Sequence, residues 1–175
     1  MRLFLAIPLE ESVRKMLYQI ENEFFSYTEK GNFTLYENLH LTLVFLGETD
    51  RLAEVKQAMD SVKAKKFLLH TAKLGSFKKA GGDLYWIGIL PSQELSSLHA
   101  QLCKQLWEKN FLIENRKYSP HLTLARQVIL KKDFQIEKFQ ERIPELFIQV
   151  EKISLMKSER IKGKLTYTSI YEKFL

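Results

Sequence analysis

Apolar and polar positions alternate in short runs along most of this chain, and stretches of helical spacing separate the runs. Leu3, Leu5 and Ile7 alternate with Phe4 and Ala6, which predicts a strand over residues 2–7. Val13, Leu17, Ile20 and Phe24 then recur at helical spacing, and Glu10 and Glu11 suit the N-terminus of that helix. Gly31-Asn32 reads as a break, followed by a short strand at 33–35 and a longer one at 39–47. A helix is expected over 52–64, with Thr49 or Asp50 as its cap. Strands at 67–77 and 84–90 are joined through Ala80-Gly81-Gly82-Asp83, a hairpin signal. Ser92 can cap a helix whose apolar stripe is Leu95, Leu98, Leu102 and Leu106. A short segment near 111–114 leads to a strand at 120–128, then a short helix at 132–139 ended by Pro144. The chain closes with strands at 146–157 and 165–174, turned through Lys162-Gly163-Lys164.

Hairpins at two places within this order of helices and strands point to an α+β fold with largely antiparallel sheets rather than a doubly wound parallel one. No Gly/Ser/Pro-rich linker divides the chain, so residues 1–175 are expected to form one two-lobed domain. No apolar run is long enough to span a membrane, and the one at 3–7 is too short for a signal peptide. Cys103 is the only cysteine, which rules out an intrachain disulfide and suggests a cytoplasmic location. In its helix Cys103 reads as a small apolar residue. The net charge of +6, with basic clusters at Lys63-Lys65-Lys66, Lys78-Lys79, Arg116-Lys117 and Lys131-Lys132, favours a polyanionic partner without specifying one.

One tetrapeptide changes the picture. His40-Leu41-Thr42-Leu43 recurs as His121-Leu122-Thr123-Leu124, and these are two of only four histidines. A given histidine is followed by Leu-Thr-Leu by chance roughly once in a thousand. In a strand, Leu41 and Leu43 face one way while His40 and Thr42 face the other, and the second copy repeats this. The motifs lie 81 positions apart (from 40 to 121), so two similar lobes would bring both imidazoles to one pseudo-two-fold cleft.

Imidazole titrates at about 6.5, so a pair can supply one general acid and one general base. That suits in-line attack on phosphorus, with the threonine hydroxyls bonding the non-bridging oxygens. The chain has no His-Glu-x-x-His or Cys-x-x-Cys ligand spacing, no Gly-x-Ser-x-Gly elbow and no phosphate-binding glycine loop. No metal or other cofactor is therefore expected. His99, which flanks the apolar stripe of a helix, and His70, which lacks a threonine two positions on, read as structural.

Paired His-x-Thr-x strands are the signature of two-histidine phosphoesterases. Within them the chain resembles the RNA 2′,3′-cyclic phosphodiesterases, also called 2′–5′ RNA ligases. The resemblance covers nearly the whole length: Arg2-Leu3-Phe4-Leu5-Ala6-Ile7-Pro8, the words around both motifs from Glu37 to Gly47 and Pro120 to Arg126, Leu74-Gly75-Ser76-Phe77, and Ser158, Gly163 and Tyr167 near the end. It implies two antiparallel sheets flanking a cleft, no metal requirement, and hydrolysis of a terminal 2′,3′-cyclic phosphate to a 2′-phosphomonoester. By the same resemblance His40 would be the proton donor and His121 the acceptor; the sequence alone does not distinguish the two. Arg126 would contact phosphate beside Thr42 and Thr123, although strict alternation puts it off the His121 face unless a bulge intervenes. Phe4, Phe77 and Tyr118 are candidates to stack on a base. Tyr36 is a departure, since relatives often carry proline there. The partner implied is RNA or a nucleotide with a 2′,3′-cyclic phosphate end, met by a monomer. Two other readings stay open: a phosphodiesterase for a small cyclic nucleotide, and a non-catalytic RNA- or nucleotide-binding module on the same fold.

Overall fold

The computed structural model describes residues 1–175. In chain order the elements are β1 (Arg2–Pro8), α1 (Glu11–Phe25), β2 (Thr28–Phe33), a 3₁₀ turn (Tyr36–Asn38), β3 (His40–Glu48), α2 (Leu52–Asp60), β4 (Phe67–Phe77) and β5 (Asp83–Ile89). They continue with α3 (Gln93–Glu108), β6 (His121–Leu130), α4 (Ile136–Gln140), β7 (Phe147–Val150), β8 (Lys152–Ile161) and β9 (Lys164–Phe174). A four-stranded sheet runs β3-β1-β8-β9 and a five-stranded sheet runs β2-β6-β5-β4-β7, with every pair antiparallel. No helix is long and apolar enough to cross a membrane.

The duplication is visible in this order. β1–α1–β3 in one sheet matches β5–α3–β6 in the other. The inner strands β1 and β5 start at 2 and 83, the same offset of 81 that separates the two motifs. The predicted stripes of α1 (Val13, Leu17, Ile20, Phe24) and α3 (Leu95, Leu98, Leu102, Leu106) are all buried in one apolar core shared with both sheets. Ser92 caps α3 as expected, accepting from the Leu95 N–H at 3.1 Å.

Five features differ from the sequence expectation. Gly31-Asn32 lies inside β2 rather than ending a loop, because β2 is an edge strand that tolerates irregular pairing with β6. A Cβ at Gly31 would sit 2.9 Å from the Phe33 ring, so a larger residue there would have to displace that ring. Neither Thr49 nor Asp50 caps α2; Arg51 holds the cap position and Thr49 Oγ1 accepts only the Arg51 N–H. That helix also ends early, at Asp60, because Gln101 of α3 takes both the N–H and the carbonyl of Lys63. α4 is confined to five residues, Ile136–Gln140. The last correction matters most: the strand expected over 146–157 is two strands. β7 pairs with β4 and β8 pairs with β1, so the chain changes sheets at Glu151. The buried positions Ile148 and Val150 are followed by Ile153 and Leu155, a slip of the two-residue period that marks the crossing.

Candidate active site

Each motif strand pairs with a more central strand of its sheet. Pro8, Ala6 and Phe4 of β1 lie opposite His40, Thr42 and Phe45 of β3. Gly88 and Trp86 of β5 lie opposite His121 and Thr123 of β6. Leu41, Leu43, Leu122 and Leu124 are buried, which anchors the strands and turns His40, Thr42, His121 and Thr123 toward the cleft.

Both strands then break alternation at the same place. Leu43 has no opposite residue between the pairs Thr42–Ala6 and Val44–Leu5, and Leu124 has none between Thr123–Trp86 and Ala125–Tyr85. Two consecutive side chains are buried at each bulge, Leu43-Val44 and Leu124-Ala125. The phase therefore flips, and the fifth residue after each histidine joins the histidine face. That residue is Phe45 in one motif and Arg126 in the other. The bulge that Arg126 required is present, and its signal was the doubled apolar residue in each motif.

The two imidazoles are held identically. His40 Nδ1 lies 2.6 Å from the carbonyl of Asn38, and His121 Nδ1 lies 2.7 Å from the carbonyl of Ser119. A carbonyl only accepts, so each Nδ1 carries the hydrogen and each Nε2 is left to exchange a proton. Thr42 Oγ1 sits 2.9 Å from His40 Nε2, whereas Thr123 makes no such bond to His121. Burial lowers the His40 pKa to about 4 against the opposing pull of the Asn38 carbonyl, and the charges of Arg126 and His121 push the same way as burial. Burial also lowers His121, with Arg126 and Arg116 adding to it. With the site empty, both rings are neutral at pH 7. A bound phosphate anion reverses the sign of the local field and favours protonating one of them.

The supporting roles of three further groups escaped the sequence reading. Asn38 is buried; its Nδ2 donates to the Leu165 carbonyl at 2.8 Å and its Oδ1 accepts the Tyr167 N–H at 3.2 Å. It thereby ties β9 to the carbonyl that orients His40. Thr34 Oγ1 donates to the Thr123 carbonyl at 2.9 Å, and Tyr118 donates to the Thr42 carbonyl at 2.8 Å. Only Asn38, the polar residue of an apolar Asn-Leu-His step, carries a sequence hint.

The three aromatic candidates lie around the histidines. Phe4 packs on His40 with ring centroids 5.0 Å apart, and Tyr167 joins them. Phe77 packs on His121 at 5.4 Å together with Trp86, whose indole crosses the Cα of Gly75 where no Cβ would fit. Tyr118 is already stacked: His99 lies flat on its ring at 3.9 Å and its hydroxyl is engaged by Thr42. His70, in contrast, pairs with Glu145 outside the cleft. Of the four basic clusters only Arg116-Lys117 lines the cleft.

The cleft comprises two cavities that meet at Thr42 and Phe45. One, of about 570 Å³, is lined by His40, Thr123, Arg126, Arg160 and Tyr167 among others. The other, of about 300 Å³, contains His121, Phe77, His99, Tyr118 and Arg116. His40, His121, Thr42, Thr123 and Arg126 are thus brought to one place. No group of three or more His, Cys, Asp or Glu side chains converges there or elsewhere in the chain.

Comparison with known proteins places this geometry in a family. The chain is 28% identical over 179 residues to the RNA 2′,3′-cyclic phosphodiesterase of Thermotoga maritima, covering 98% of this chain and 94% of the relative. It is 31% identical over 130 residues to the Escherichia coli protein of the same name, 71% of each chain. Its fold superposes on the crystal structure of E. coli LigT complexed with 3′-AMP with a TM-score of 0.82, 26% identity, and coverage of 99% and 97% of the two chains. Residues 22–162 match the family model described as the 2′-5′ RNA ligase superfamily. That span includes both motifs and most of the chain, and the protein belongs to the 2′-5′ RNA ligase superfamily.

Proposed function

We propose that residues 1–175 act as one two-lobed phosphoesterase domain that opens terminal 2′,3′-cyclic phosphates of RNA to 2′-phosphomonoesters. The observation that carries this reading is the matched pair: two imidazoles with Nδ1 fixed on a backbone carbonyl, Nε2 meeting only the Thr42 hydroxyl on His40 and no protein group on His121, and Arg126 within the same cleft. The names of the relatives support the substrate class.

Arg126, Thr42 and Thr123 hold the non-bridging oxygens of the cyclic phosphate. The anion raises the affinity of the site for one proton, which His40 carries on Nε2. Water attacks phosphorus opposite the 3′ oxygen and passes its proton to His121 Nε2. The P–O3′ bond breaks as His40 delivers its proton to O3′, and the phosphate stays on the 2′ oxygen. The roles are set by how the substrate lies between two equally oriented rings. A 5′-hydroxyl replacing water would give 2′–5′ ligation by the same transfers.

The test uses an oligoribonucleotide ending in a 2′,3′-cyclic phosphate, with excess EDTA, and resolves 2′- from 3′-phosphate products. Opening to the 2′-phosphate in EDTA, lost in His40→Ala and in His121→Ala, is the expected result. Tight RNA binding without turnover by the wild type would instead favour the binding-module reading.

A further inference from the structure

Helix α1 carries a second stripe that the core does not use. Tyr18, Glu21, Asn22 and Phe25 follow the i, i+3, i+4, i+7 spacing on a face adjoining the buried Val13–Phe24 stripe. This face and the segment from Phe33 to Glu37 enclose a cavity of about 440 Å³. Phe33, Thr34 and Leu35 also line the larger cavity that holds His40 and Arg126, so the two spaces share one wall and adjoin.

The contents of this cavity are unusual for an incidental crevice. Tyr18 and Phe25 are 39% and 60% exposed, and each meets a partner edge to face, Tyr18 with Tyr36 and Phe25 with Phe33. Between these aromatic pairs lie two hydrogen-bonding side chains. Glu21 is only 2% exposed, and its Oε2 has no partner in the protein. Its burial raises the carboxyl pKa to about 8, so at neutral pH it is uncharged and offers both a donor and an acceptor. The Lys164 ammonium at the rim is paired with Glu37 at 2.6 Å, which leaves no free cation for phosphate recognition there. Aromatic faces around neutral hydrogen-bonding groups suit a base better than a phosphate.

We propose that this cavity seats the nucleobase immediately 5′ of the cyclic-phosphate end, with Tyr18 and Phe25 as its stacking surfaces and Glu21 and Asn22 at its edge. The inference rests on the phosphodiesterase reading and adds that the substrate is at least a dinucleotide. A mononucleotide would fill the histidine cavity and leave this one empty.

The experiment compares kcat/KM for a nucleoside 2′,3′-cyclic phosphate with that for a dinucleotide ending in one, for the wild type, Tyr18→Ala, Phe25→Ala and Glu21→Gln. The wild type is expected to favour the dinucleotide by about tenfold, the scale of one stacked base. Both alanine variants are expected to erase most of that preference while leaving mononucleotide turnover unchanged, which also reports that they fold. Glu21→Gln keeps a donor and an acceptor and is expected to retain the preference. Equal efficiency on both substrates, or a preference that survives both alanine variants, would overturn the inference while leaving the phosphodiesterase reading intact. Failure of the wild type on both substrates would overturn both.

Discussion

The two lobes present the same imidazole to the cleft and surround it differently. Both use a bulged strand, a buried Leu-x-Leu anchor, and a carbonyl two residues back to fix Nδ1. They part at the residue that the bulge turns inward, Phe45 in the first lobe and Arg126 in the second. They part again at Nε2, which meets a threonine hydroxyl on His40 and none on His121. The backbone holds the two imidazoles alike, and the residues that the bulges turn inward place an aromatic ring on one motif strand and a cation on the other.

The largest effect tests the equivalence. His40→Ala and His121→Ala are each expected to lower kcat by about 10² to 10⁴. The double variant should fall little further, because a single proton relay is already broken by either change. Additive losses in a kinetic cycle would show that the rings act independently.

Exchanging the residue after the bulge sharpens the contrast. Arg126→Phe makes the second lobe resemble the first and removes a charge-assisted bond worth about 1.5–3 kcal/mol, roughly tenfold to a hundredfold in kcat/KM. Phe45→Ala is expected to cost less than Arg126→Phe. An equal or larger loss at Phe45 would contradict the division between lobes.

Asn38 supports only the first histidine. Asn38→Ala strands the Leu165 carbonyl and the Tyr167 N–H, so a loss of about 1–3 kcal/mol is expected in urea denaturation. Turnover should drop as well, since the His40 carbonyl anchor loosens.

The smallest effect is a pH slope. His40 has a folded pKa of about 4, below its unfolded value of about 6.5, so the stability it contributes above 6.5 is lost as pH falls toward 4. His121 is lowered in the same direction. Glu21 is raised to about 8, so its contribution is present at low pH and is lost as pH rises toward 8. Between pH 6.5 and 8, wild-type stability should decline with pH by up to about 1.4 kcal/mol per unit through Glu21. Glu21→Gln should remove that decline, while His40→Asn should change the slope only below about pH 6.5, where it removes a contribution that rises with pH.

Much of this was legible in the sequence because the determinants are local. The motif strands, the α1 and α3 stripes and the Ser92 cap follow from side-chain spacing alone. The single strand expected over 146–157 failed because period-two alternation does not say which sheet a strand joins; only the slip at Glu151 carried that information. Arg126 could be placed only with the bulge, whose sign was the adjacent apolar pair in each motif. The roles of Asn38 and Thr34 were hidden, and Tyr118 was read only as a stacking candidate, because each acts on a backbone carbonyl remote in sequence.

The central claim is that His40 protonates the leaving oxygen and His121 activates water. A 3′-deoxynucleoside 2′-(4-nitrophenyl phosphate) tests it, since 4-nitrophenoxide leaves without a proton. Turnover of this ester by His40→Ala should recover toward the wild-type rate while His121→Ala stays inactive. Recovery in His121→Ala instead would reverse the two roles, and equal loss in both would contradict a division into acid and base.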